Sequence, residues 1–309
     1  MRWSVALEGY WLTKRRDLSI HTVEDYSVTF RRFGEWIADG EVARVTPAVV
    51  NGFLEHLGEE LELAPKTVKN AWVALSSFWT WAEREIGAVH VLRKVARPKA
   101  TARMLQPFSE EEVRALLAAT ETMQVWDNEH QRFHPGRRPT AERDQAMLLV
   151  FLDCGLRVSE VCALNVGDYD RKQGRLIVEH GKNDKQRAVF MGQRAQRAMW
   201  RYLTRREDAK ATEPLFPSSR TRGKRFETVA VRLLIVRLGE RGGVAGATPH
   251  RFRHTFAINF LRNGGNLFAL QAMLGHATLE MVRRYARIAE VDVAEAARRA
   301  SPADRWGVG

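Results

Sequence analysis

The sequence predicts a mainly α protein of two domains. The first is an N-terminal helical bundle; the second is mixed α/β, mostly α with one small antiparallel sheet. Three observations predict it. The chain has 309 residues, and at about 150 residues per domain that suggests two. Apolar residues recur at three- and four-residue steps along most of it, which is the helix period. One pair of β-branched and apolar runs flanks a turn composition, which reads as a β-hairpin.

Residues 1–97 read as all-helical and form the first domain. Ile20, Val23, Tyr26, Phe30, Phe33 and Ile37 share one helical face, and Val68, Ala71, Leu75, Phe78 and Ala82 repeat the pattern. The two stretches echo each other: Leu18, Thr22 and Val23 parallel Leu63, Thr67 and Val68, and both run on to an aromatic pair, Phe33/Trp36 and Phe78/Trp81. Two copies are too few for a solenoid. They suggest a pair of helical hairpins, or a coincidence of amphipathic helices. Between them Thr46-Pro47 opens a helix that runs to Leu57, with proline at the first helical position.

The basic segment 88–106 has no sustained period and contains Pro98, so it reads as the connection between domains, with the linker proper at 98–106. The second domain covers 107–309. Ser109-Glu110-Glu111-Glu112 is a capping box for a helix over 110–120. Residues 123–140 are polar, rich in His, Arg and Pro, and read as a loop or insertion. An apolar helix follows over 144–156. The runs 175–179 and 187–191 flank Gly181-Lys182-Asn183-Asp184-Lys185 as the hairpin. Helices are expected over 195–206, 228–241, 249–262, 266–274, 278–286 and 291–300.

Composition narrows the function. Hydrophobic residues make up 45% and charged residues 28%, a globular balance with enough apolar material for two cores. Lys and Arg number 49 against 37 Asp and Glu, a formal net charge of +12. That excess points to a polyanion, most often nucleic acid, although basic proteins without such a partner exist. The two cysteines, Cys154 and Cys162, exclude a disulfide framework and a four-cysteine zinc site, and suit a reducing cytoplasm. No apolar run reaches the about 18 residues of a membrane span, and no signal peptide is expected.

Four short motifs carry side chains suited to chemistry. In Gly155-Leu156-Arg157-Val158-Ser159-Glu160 an arginine follows a buried helix, and Glu160 is placed to orient it. The pair reads as structural, or as a fork aimed at a phosphate. Lys182 in the basic turn is either solvated or inserts into a DNA groove. In Pro249-His250-Arg251-Phe252-Arg253-His254, proline at the first turn puts His250, Arg253 and His254 on one face at a helix N-terminus, where anions are favoured. His250 and His254 have metal-ligand spacing, but the glutamate of a His-Glu-x-x-His site is absent, so no metal site is expected. Leu274-Gly275-His276 ends a helix, and Tyr285 follows within Arg283-Arg284-Tyr285-Ala286-Arg287. A phenol becomes a nucleophile only where cations stabilise its phenolate; a tyrosine of the core or of an interface is the plainer reading.

Together and in this order, GLRVSE at 155–160, GKNDKQR at 181–187, HRFRH at 250–254, LGH at 274–276 and Tyr285 resemble the tyrosine recombinase (phage integrase) family, especially its simple Xer-like members. The likeness spans nearly the whole chain, because TVEDY…F and TVKNAW…F resemble the family's core-binding domain. The long segment 123–140 departs from compact Xer proteins, and no arm-binding domain is expected before Met1.

The resemblance implies roles residue by residue. Arg157 matches the first catalytic arginine, Lys182 the hairpin lysine, and His250 with Arg253 the His-x-x-Arg pair. His276 matches a position that other members fill with Trp, and Tyr285 matches the nucleophile. Glu160 matches the acid that supports the first arginine, and His254 a supporting histidine. The implied reaction is cofactor-free and metal-free cleavage and rejoining of DNA through a 3′-phosphotyrosyl bond. It serves integration, excision or resolution. The implied partners are double-stranded DNA with a specific core site and, on that DNA, a homotetramer closed through the tail helix 291–300; an accessory protein stays open. Type IB topoisomerase-like relaxation and a non-catalytic DNA-binding protein of the same fold are the alternatives. The presence of all six matching residues argues against the second.

Overall fold

In the computed structural model the chain divides into two units, Met1–Met104 and Leu105–Gly309. Residues 1–99, 106–127, 132–179, 186–219, 223–275, 285, 298 and 301–306 are described, 124–127, 132–135 and 305 by their backbone alone.

The N-terminal unit holds α1 (Trp3–Lys14), α2 (Ile20–Trp36), α3 (Pro47–Glu59) and α4 (Pro65–Ile86). Local chemistry sets their ends. The Ser19 hydroxyl accepts from the Thr22 N–H at 3.1 Å, and Thr46 accepts from Val49 at 3.4 Å, each satisfying a donor that the first turn leaves open. Pro47 and Pro65 sit where a missing N–H costs nothing. Gly87, with φ of 65°, ends α4 in the left-handed conformation. The core is aromatic: Trp3, Tyr10, Phe30, Phe33, Phe53, Phe78 and Trp79 are each at most 2% exposed. The echoing stretches are α2 and α4, which pack on each other. The basic segment after α4 departs from the linker expectation. Val91–Lys94 is a short 3-10 turn, and Val91, Leu92 and Val95 are buried in the core of this unit. Three apolar residues in one tight turn suffice to pack it without any sustained period.

The second unit is organised on α6 (Ala141–Cys154), against which α8 (Gln193–Thr204) and α10 (Pro249–Arg262) pack. Around it lie α5 (Glu110–Ala118), α7 (Val158–Ala163), α9 (Thr228–Gly242) and α11 (Leu267–Leu274), with a short helix Pro302–Trp306 near the C-terminus. The Ser109 capping box is formed on both sides, Glu112 to the Ser109 N–H at 2.9 Å and Ser109 to the Glu112 N–H at 3.2 Å.

Among the described residues there are two sheets where one was expected. Of the loop or insertion expected over 123–140, the described residues are largely strand: β1 (Thr122–Asp127) pairs antiparallel with β2 (Arg132–Arg137). The second sheet is β3 (Tyr169–Asp170), β4 (Arg175–Val178) and β5 (Arg187–Phe190), all antiparallel, with Val178 opposite Arg187. The expected helices 278–286 and 291–300 lie outside the described residues, apart from Tyr285 and Arg298. Among the described residues no helix is long and apolar enough to cross a membrane.

Candidate active site

The site begins where α6 stops. Gly155 takes φ of 59°, and a Cβ there would lie 2.2 Å from the Phe256 ring, so glycine is required twice over. The chain turns and Arg157 becomes the N-cap residue of α7. Glu160, at the third position of that helix, accepts from the Arg157 backbone N–H at 2.7 Å and from its guanidinium at 3.0 Å. The Arg157 side chain stays 43% exposed while that of Glu160 is 8% exposed. The arginine thus presents its remaining N–H groups outward from a fixed base.

Pro249 occupies the first turn of α10, capped by Thr248. His250 is exposed, whereas Arg253 and His254 are buried. The Arg253 guanidinium donates to the Gly155 carbonyl at 2.6 Å and to the Leu274 carbonyl at 2.8 Å. Those bonds join the C-terminal ends of α6 and α11. Burial and the neighbouring Arg157 charge push Arg253 down to about 10, against the pull of Glu160 and Tyr285. Tyr285 is 7% exposed and packs with Phe256, Ala257, Ile258, Leu261, Leu270 and Leu274. Its ring centroid lies 5.3 Å from that of His254. Arg157, Glu160, Arg253, His254 and Tyr285 therefore gather around the ends of α6 and α11. His250 is one turn earlier on α10, at the surface. Lys182 and His276 lie outside the described residues.

One member was not expected. Arg187, the first residue of β5, has a side chain only 9% exposed. Its two terminal nitrogens donate to the two Glu160 oxygens at 3.0 and 2.9 Å, and its Nε donates to the Met273 carbonyl at 2.7 Å. Burial would raise the Glu160 carboxyl, but the Arg187 and Arg157 hydrogen bonds and charges hold it below the ordinary carboxylate range. The available signal was a charged residue opening an otherwise apolar strand.

The arrangement offers guanidinium groups to an anion beside a phenol. Among the described residues no group of three or more His, Cys, Asp or Glu side chains is placed to hold a metal ion. The two thiols are poor nucleophiles: burial raises the Cys154 thiol, and it raises that of Cys162 to about 11.

Comparison with known proteins shows the family. Residues 106–291 match the phage integrase family, and residues 12–87 match the phage integrase N-terminal SAM-like domain. The chain is 32% identical over 290 residues to the tyrosine recombinase XerC of Pelobacter propionicus, covering 90% of this chain and 88% of that one. It is 31% identical over 294 residues to the tyrosine recombinase XerD of Pseudomonas aeruginosa, covering 92% and 91%. Among solved structures, XerH bound to a palindromic difH substrate in a post-cleavage complex aligns with a TM-score of 0.69 at 18% identity, over 94% of this chain and 82% of that one. A lambda integrase fragment bound as a dimer to a COC' core site aligns at 0.70 and 17% identity, over 91% and 97%. At such identities the structural likeness speaks for the fold.

Proposed function

The chain belongs to the phage integrase family of tyrosine recombinases, and from that premise we propose which of its residues cut and rejoin DNA. It is a site-specific DNA recombinase that works through a covalent protein–DNA intermediate. Its partner is DNA. In the proposed reaction the Tyr285 phenol oxygen attacks a backbone phosphorus. The bond to the 5′-oxygen breaks, and a 3′-phosphotyrosyl bond and a free 5′-hydroxyl result. The phenolic proton is lost and the leaving 5′-oxygen gains one, so protons balance. Lys182 supplies that proton, and His250 moves the phenolic proton or donates to the phosphate. Arg157, Arg253 and His276 hold the non-bridging oxygens, each contributing on the order of 3–4 kcal/mol in a dry site. The bond energy stays in the phosphotyrosine, so rejoining to another strand needs no further energy source.

The observation that carries the reading is Arg253. Burying a guanidinium costs free energy, and this one is tied to the carbonyls that end α6 and α11, beside Tyr285 and within the attraction of Glu160. Its charge is thereby held in place for a phosphate. The roles of Lys182 and His276 follow from the family motifs alone.

Covalent trapping tests this. Wild type and Tyr285→Phe are expressed in cells, the cells are denatured, and protein-linked DNA is captured and sequenced at its 3′ ends. An adduct from the wild type alone is expected, and its ends read out the target site. An adduct from Tyr285→Phe would assign the nucleophile elsewhere. Assembly is a second part of the proposal: four protomers act together on DNA through the segment after Tyr285. A chain ending at Ile288 is expected to bind DNA without forming the tetramer in a light-scattering measurement; an unchanged tetramer would remove the tail from the assembly.

A further inference from the structure

Arg187 bonds to two separate parts of the site, the Glu160 carboxylate and the end of α11. Its guanidinium is planar and rigid, and here all three nitrogens are used. Two grip both oxygens of Glu160. The same carboxylate carries Arg157, through its backbone N–H and through its guanidinium. The third nitrogen holds the Met273 carbonyl, in the last turn of α11, where carbonyls lack intrahelical partners. The next carbonyl, Leu274, is held by Arg253. Gly275 then turns left-handed with φ of 62°, and His276 follows. Arg187 also opens β5, five positions after Lys182 in the sequence. One buried side chain thus touches the base of Arg157 and the helix end that leads to His276, and it belongs to the strand that leads back from the lysine turn.

Arg251 grips both oxygens of Glu112 at 2.8 and 2.7 Å. Glu112 there serves the start of α5, through the Ser109 N–H. Arg251 makes both bonds through one terminal nitrogen where Arg187 uses two, and what each arginine supports differs.

We propose that Arg187 is a positioning residue for strand cleavage, aiming Arg157 through Glu160 and setting the α11 turn ahead of His276 through Met273. The inference rests on the reading of the site given above. It follows from preorganisation: donors stabilise a transition state only if they already stand where charge develops. A lysine at 187 keeps the charge beside Glu160, so the chain still folds. It cannot span two carboxylate oxygens and a carbonyl in one fixed plane, and the aim of Arg157 is lost.

The test uses full-length protein and synthetic duplexes carrying the site that trapping recovers. One duplex has an ordinary scissile phosphodiester. The other has a methylphosphonate there, in which a methyl replaces one non-bridging oxygen and the negative charge is gone. Single-turnover cleavage by Arg187→Lys is expected to fall about 10²-fold on the phosphodiester, the loss that misplacement by about 1 Å produces. DNA affinity by fluorescence anisotropy stays that of the wild type. On the methylphosphonate, where there is no charge to neutralise, most of the loss disappears. Arg251→Lys, the structural reference, lowers the thermal midpoint and changes both duplexes by the same factor. Full activity of Arg187→Lys, or an equal loss on both duplexes, overturns the proposal. Arg157→Ala separates the two levels of inference. If methylphosphonate does not relieve its defect, the assignment of Arg157 fails. If it relieves Arg157→Ala but not Arg187→Lys, only the role of Arg187 fails.

Discussion

The two units bury opposite chemistry. In Met1–Met104 the buried side chains described are aromatic and aliphatic, and none is charged. In Leu105–Gly309, Arg143, Asp144, Glu160 and Arg253 are all at most 8% exposed. A buried ion costs several kcal/mol unless paired. The first unit is therefore built for stability, and the second accepts a cost to fix charges in place. The second unit contains both kinds of buried ion. Asp144 is answered in full by Arg138 at 2.7 Å, Arg143 at 2.7 and 2.9 Å and the Thr140 hydroxyl at 2.9 Å. Arg253 is instead seated on neutral carbonyls. The first arrangement pairs opposite charges, whereas the second ties a positive charge to the ends of α6 and α11 beside Tyr285.

The largest effect is expected at Arg253. Arg253→Met should reduce single-turnover cleavage by about 10²- to 10³-fold, the scale seen when one transition-state donor is removed. It should also lower the thermal midpoint, because two buried carbonyls lose their donor at about 1–3 kcal/mol each. A variant with normal cleavage would place Arg253 with Arg143, among the structural ions. Phe78→Ala comes next. Phe78 is 0% exposed among Trp3, Tyr10, Phe30 and Trp79, and its truncation should cost the first unit about 3–5 kcal/mol. Hydrogen exchange read by mass spectrometry should show α2 and α4 deprotected and α6 unchanged. Equal deprotection of α6 would break the division between the units.

Much of the site was legible because its local signals are short-range. Gly155 stops α6 just before Arg157, Pro249 opens α10 before Arg253, and Gly275 stops α11 before His276. What these side chains touch was not legible. The partners of Arg253 lie 98 and 21 residues away, and those of Arg187 lie 27 and 86 residues away. No period or spacing records such separations. Hence Glu160 was read with one arginine when it serves two. The β1–β2 hairpin escaped for a different reason. Its second strand contains Pro135 and Gly136, which ordinarily argue against a strand. In a two-stranded ribbon each strand keeps one open edge, so a missing N–H can face away from the ladder.

The smallest expected effect, at Asp153, belongs to a pair of carboxylates of the second unit whose environments act in opposite directions. Glu160 is held low by Arg187 and Arg157 against the effect of burial. A folded-state value below the unfolded one means stability that is present above the ordinary carboxylate range and lost as pH falls through the folded value. Asp153 is the reverse. It is half-buried near the end of α6; burial raises it, and the Gly192 N–H at 2.8 Å offsets only part of that. Its contribution is present below the unfolded value, about 3.9, and is lost as pH rises through the folded one. At neutral pH the Asp153 charge therefore costs stability. Asp153→Asn keeps an oxygen to accept from Gly192 and removes the charge. It should raise the thermal midpoint slightly at neutral pH, with the gain vanishing as pH falls below about 4. Glu160→Gln should lower the midpoint most at neutral pH, with the penalty shrinking as pH falls. Midpoints of the three proteins across that range decide it. If both variants shift in the same direction, the carboxylates do not differ as their surroundings require, and the distinction between a charge held for a role and a charge merely tolerated fails inside this unit.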